Sequence, residues 1–169
     1  MPDAEDIVQP SPERHTLVTR QEYRDALERL GALAQRELRI FDADVSDLDF
    51  NSVQKYELLR SFLLRGRNMR LYVAVHDADY IRRYCPRLLD LLRRFSDRMY
   101  IHQTQGEAAG AHDCFVLADK LHFVRRPVQA QPRATLILND EEESQGMLQR
   151  FSEIWDGSVP VVSATTSGL

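Results

Sequence analysis

The chain is poor in the residues that staple, anchor or span. Its two cysteines, Cys85 and Cys114, are too few for a disulfide framework. No run of 18 apolar residues exists to cross a membrane, and no charged-then-apolar amino terminus marks a leader, so a cytoplasmic protein without membrane association is expected. Lysine is nearly absent: of 22 basic residues only Lys55 and Lys120 are lysines. Metal-ligand spacings of the His-x3-His or Cys-x2-Cys kind are missing, as is a Gly-rich coenzyme A loop, so neither a metal nor a cofactor is expected. What is present suits one ordinary domain of 169 residues, 43% hydrophobic and 28% charged. A chain of this length buries roughly 70% of its unfolded surface and needs no staple.

The formal net charge of −4 conceals a division along the chain. Residues 60–133 hold 14 Lys/Arg against 7 Asp/Glu, a balance of +7, while the remainder holds 8 against 19, or −11. If the flanks fold back on the middle, the charge is structural. If they do not, the middle is where an anionic ligand or partner belongs.

Residues 1–15 carry three prolines and several acids without periodicity and read as a disordered tail. Thr19 and Glu22 form a capping box ahead of a helix over about 20–36. Leu38 to Phe41 reads as a strand that leads into an acidic loop, and a second helix runs from near Asn51 to Gly66. The run Met69 to Asp77 reads as a strand buried on both faces. The third helical stretch, Asp79 to Ser96, contains Pro86, which predicts a kink or two abutting helices with Pro86 in the first turn of the second. Strands follow at Met99–Thr104, Cys114–Ala118, Leu121–Arg125 and Arg133–Leu138. A last helix is capped by Asp140, and the tail from 158 is expected to be extended. The order α β α β α β β β β α implies an α/β domain over 16–157, a mixed sheet flanked by helices.

The segment His112-Asp113-Cys114-Phe115-Val116-Leu117-Ala118-Asp119 has the spacing His-x-Lys-x4-Asp, with Cys114 in the lysine position. This pattern resembles the signature of the phospholipase D superfamily. The helix and strand of Leu59 to Val75 (LRSFLLRGRNMRLYVAV) and the closing Phe151-x-x-x-Trp155 agree with that family's layout. The chain is also similar to an uncharacterised proteobacterial family with this layout in a single copy. The resemblance implies a phospholipase D-like half-domain in which His112 stands at the nucleophile's position and Cys114 at that of the cation that neutralises phosphate oxygens. A thiol cannot supply that charge. The Gly-Ser-x-Asn that follows in the family is replaced by Val124-Arg125-Arg126-Pro127, and the family's enzymes use two motif copies where this chain has one.

The relic motif His112, Cys114 and Asp119 therefore predicts a pseudoenzyme, and His76, His112, Arg125 and Arg126 are the candidate ligand-binding residues. An arginine pair can hold phosphate bidentately, although edge-strand arginines also simply discourage sheet association. His76, at a strand's carboxyl end where α/β ligands gather, could join His102, His112, His122 and Asp119, or serve as a hydrogen-bonded structural residue. The cysteines lie in apolar patterns and read as buried. Three functions follow: binding of a protein partner or of an anionic, phosphorylated ligand; residual phosphodiesterase activity as a homodimer; or nucleic-acid binding through Arg82, Arg83, Arg87, Arg93, Arg94 and Arg98. That arginine face lacks interleaved aromatics, and pairing with acids of the flanks, or simple solvation, is the plainer reading.

Overall fold

A computed structural model describes residues 10–161. Its elements are β1 (Glu13–Leu17), α1 (Arg20–Leu33), β2 (Glu37–Asp42), α2 (Val53–Leu64), β3 (Arg70–Val75), α3 (Asp79–Tyr84), α4 (Pro86–Arg94), β4 (Met99–Thr104), β5 (Cys114–Ala118), β6 (His122–Arg126), β7 (Ala134–Leu138), α5 (Glu141–Asp156) and β8 (Ser158–Pro160). One eight-stranded sheet has the order β1-β7-β6-β5-β2-β3-β4-β8. The parallel trio β2, β3 and β4 is continued by antiparallel neighbours on both sides.

Local sequence explains most boundaries. Thr19 accepts the Glu22 amide and Glu22 reaches back to the Val18 amide, which closes the capping box of α1. Asp140 caps α5 at the Glu143 amide. Pro86 sits at the first position of α4 and divides the third helical stretch in two, because its missing N–H costs nothing there.

The two ends differ from the sequence expectation. Glu13–Leu17, placed by the sequence largely in a disordered tail to residue 15, pairs antiparallel with β7. Ser158–Pro160, expected as the start of a free tail, pairs with β4. Both are short, polar edge strands whose order comes from backbone hydrogen bonds, so they leave little apolar pattern to read. The rest of both expected tails, residues 1–9 and 162–169, lies outside the described residues.

The sheet's two faces are covered unequally. Helices α1, α2 and α4 pack with Leu38, Ile40, Val73, Cys114 and Val116 in the main core. On the other face α5 alone sets Phe151 and Ile154 against Phe41, Ala74 and Phe115. One helix cannot roof eight strands. α5 lies over β4, β5, β6 and β8, its Met147 and Leu148 reach Ile137 of β7, and beyond them the face narrows to a groove toward β1.

Candidate functional site

Strand β5 begins at Cys114, and alternation along it sends Asp113 and Cys114 to opposite faces. Cys114 faces the α1 side and is fully buried. Directly across the ladder stands Arg126, 4% exposed, whose Nη2 lies 3.8 Å from the Cys114 sulfur. The same guanidinium lies 4.9 Å from the centre of the Tyr23 ring and 3.6 Å from Asp47. Asp42, the buried last residue of β2, completes the cluster.

Asp42 is bound from outside the strand. Its Oδ2 accepts the Val45 amide at 2.7 Å and the Asp44 amide at 3.2 Å. Val45 is β-branched and has φ of 60°, a conformation of order 1–3 kcal/mol in cost, so Asp42 fastens a strained loop. Burial pushes the Asp42 carboxyl up from its ordinary value, and the Val45 hydrogen bond offsets only part of that. Burial, with Asp42 adding to it, pushes the Cys114 thiol up to about 12, so the sulfur is a neutral filler and not a nucleophile. Tyr23 Oη, Asp42 Oδ1 and Arg126 Nε and Nη1 have no hydrogen-bond partner. Four orphaned polar atoms in one buried cluster are the pattern that internal water satisfies.

On the α5 side, Asp113 is 2% exposed and holds two arginines. Arg125 Nε donates to its Oδ2 at 3.0 Å, and Arg150 of α5 donates from Nε at 2.9 Å and from Nη2 at 2.6 Å. Burial pushes this carboxyl up, but the hydrogen bonds and charges of Arg150 and Arg125 outweigh it and hold Asp113 below the usual carboxylate value. The carboxylate ties the start of β5 to β6 and α5 at once.

The residues singled out from sequence meet only in part: His76 and Arg125 reach Ala111 and Asp113, the neighbours of His112, whereas Asp119 is remote and Arg125 and Arg126 part to opposite faces. His112 is exposed, and its carbonyl accepts the Gln129 amide. Asp119 lies at the opposite end of β5, in the hairpin turn at φ of 54°, where its carboxylate accepts the amides of Gln35, Arg36 and Glu37. Arg125 and Arg126 point to opposite faces. Arg126 is interior, whereas Arg125 is partly exposed beside Asp113.

His76 is committed as well. Its Nε2 donates to the Ala111 carbonyl at 2.6 Å and its Nδ1 meets the Thr104 hydroxyl at 2.6 Å. His102 stacks on Trp155 with ring centres 3.6 Å apart, and His122 Nδ1 accepts the Asn139 amide. Burial lowers the pKa of both His102 and His122. Among the described residues no group of three or more His, Cys, Asp or Glu is placed to hold a metal. No helix among them is long and apolar enough to cross a membrane.

The arginine face of α3 and α4 is partly compensated from within and not by the flanks: Arg83 pairs with no acid among the described residues, and Tyr84, 58% exposed, stands beside it, where the sequence reading expected no aromatic on this face. Arg82 pairs with Asp79, Arg93 and Arg94 both pair with Asp90, and Arg98 pairs with Asp97. Arg87 donates to the Asn51 carbonyl.

Sequence reasoning missed Tyr23, Asp42, Asp47, Asp113 and Arg150 as members of these clusters. Two of them carried a signal. A charged residue beside the first position of a buried strand needs a partner, and Arg150 lies on the buried stripe of α5 between Met147, Phe151 and Ile154.

A family model described as a domain of unknown function (DUF7931) matches residues 19–164. No curated protein matches by sequence. Among solved structures, the phospholipase D family member Nuc from Salmonella typhimurium is similar with a TM-score of 0.66 at 10% identity, over 90% of this chain and 100% of that one. NucT from Helicobacter pylori is similar with a TM-score of 0.61 at 10% identity, over 89% and 100%. TrmBL2, an archaeal chromatin protein whose structure shows a novel mode of DNA binding, has a TM-score of 0.66 at 10% identity over 88% of this chain, which spans 55% of its length. At these identities the likeness carries the fold, a mixed sheet flanked by helices as in phospholipase D-like proteins.

Proposed function

Since the chain belongs to the family of the domain of unknown function DUF7931 and has a phospholipase D-like fold, we propose that it works as a non-catalytic domain that binds a protein partner or an anionic ligand. One observation carries this reading: the position where the resemblance calls for a lysine is a sealed thiol. The nearest cation, Arg126, is interior and engaged with Asp47 and Tyr23. Phosphoryl transfer to a histidine needs a cation free to meet the developing charge on the phosphate oxygens. The arginine pair of β6 does not replace it: Arg125 and Arg126 face opposite sides of the sheet, so the two cannot clamp one phosphate beside His112.

A homodimer joined across this end would add a second His112 but no uncommitted lysine. Lys55 is buried on Glu28, and Lys120 stands in the hairpin turn at the far end of β5. Nucleic-acid binding is less favoured, since Arg82, Arg93 and Arg94 of α3 and α4 are paired with acids of their own segment, which leaves Arg83 and Arg87 without an acid partner among the described residues.

The reading predicts no covalent intermediate. Incubation with an activated phosphodiester followed by intact-protein mass spectrometry is expected to show unmodified mass. A phosphorylated species that is absent from His112→Ala would contradict it.

A further inference from the structure

The open end of the α5 face forms a groove of about 380 Å³, at the small end of ligand-binding cavities. We propose that this groove binds a small amphipathic anion: a carboxylate or phosphate monoester carrying a short apolar body. The proposal deepens the binding reading above by giving the ligand a site and a chemical class.

Strand register builds the polar end. Arg125 of β6 stands opposite Thr135 of β7, and Arg14 of β1 stands opposite Ile137, two residues further along β7. With strands about 4.8 Å apart and about 3.3 Å of rise per residue, the two arginine backbones lie roughly 12 Å from each other across β7. Side chains of that length can close on one anion above Thr135. Both keep free donors: Arg125 spends Nε on Asp113 and has no partner at its Nη groups, and Arg14 makes no ion pair or side-chain hydrogen bond among the described residues. A guanidinium fork suits the planar carboxylate or the tetrahedral phosphate equally.

The apolar end is lined by Phe123 and Ile137, 6% and 3% exposed at the floor, and by Met147 of α5, which packs against them and offers the more exposed apolar surface of the three. Glu143 on the same wall is the one acid lining the groove, so the bound anion is held at the β-strand side, away from it. Gly146 keeps the wall low. A Cβ built there meets nothing within 4 Å, so a larger side chain at this exposed helical position would project without clash.

That gives a test that spares the fold. Octyl phosphate, octanoate and inorganic phosphate are titrated below micelle concentrations, with binding followed by amide NMR shifts. At least one amphiphile is expected to saturate the protein and shift Phe123, Ile137 and Met147, with inorganic phosphate at least tenfold weaker. The tighter of the two amphiphiles tells phosphate from carboxylate. Gly146→Phe and Arg14→Ala are each expected to weaken binding at least tenfold with an unchanged melting temperature. Failure of both amphiphiles to bind, or binding indifferent to both substitutions, overturns the proposal. Neither result bears on whether His112 turns over a phosphodiester.

Discussion

Cys114→Lys, which would write the family motif back into the chain, is expected to destabilise the domain by about 4 kcal/mol or more and to restore no activity. The site is fully buried, and the residue across the ladder is a guanidinium 3.8 Å from the sulfur. Overpacking alone costs about 1–3 kcal/mol. A second cation must then either crowd Arg126 or lose its proton, and both raise the cost. Asp42 offers one unpartnered oxygen, Oδ1, to the ammonium, but its Oδ2 stays committed to the amides that hold the Val45 loop, and the pairing relieves neither the overpacking nor the crowding of Arg126. For a domain of this size 4 kcal/mol lowers the melting temperature by roughly 10 °C, which thermal unfolding followed by circular dichroism resolves easily. Cys114→Ala serves as the control, with a smaller loss. A Cys114→Lys protein that melts like the wild type would show that the position can open to solvent.

Asp113→Ala is the second large effect. The carboxylate is 2% exposed and takes three hydrogen bonds from two arginines, so its removal leaves Arg125 and Arg150 facing each other without a counter-charge. Both arginines are more than a third exposed and are partly rescued by water, which brings the expected cost down to about 2–3 kcal/mol. The pH dependence has a definite sign. The folded carboxyl lies below its ordinary value of 3.8, so its contribution is complete above that pH and is lost as pH falls through the lower folded value. The gap in stability between wild type and Asp113→Ala, measured by denaturant unfolding, should therefore be constant from pH 7 down to about pH 5 and shrink below pH 4. A gap that persists unchanged into acid would mean that Asp113 acts by packing alone.

These two neighbours show what the sequence could and could not disclose. The order of elements, the split at Pro86 and the caps at Thr19 and Asp140 rest on local chemistry, and all were legible. The edge strands β1 and β8 were not, because a short strand paired on one side needs no apolar alternation. Arg125 and Arg126 read as one cationic pair in the sequence. In a strand, adjacent residues part to opposite faces, and only the covering helices decide which of them is interior. Asp119 kept the motif's spacing but sits a full strand away from His112, where it clips the α1–β2 connection. The net charge of −4 was legible as a cancellation, but its resolution was not. Most ion pairs form inside the basic middle or inside the acidic amino-terminal flank, with Arg126–Asp47 and Arg150–Asp113 among those that join middle to flank.

The proposed non-catalytic role is tested most directly by hydrolysis of bis(p-nitrophenyl) phosphate by the wild-type chain and by His112→Ala at matched concentration. The expected result is the buffer rate for both proteins. A wild-type rate above background that His112→Ala abolishes would contradict the reading and make this domain an enzyme.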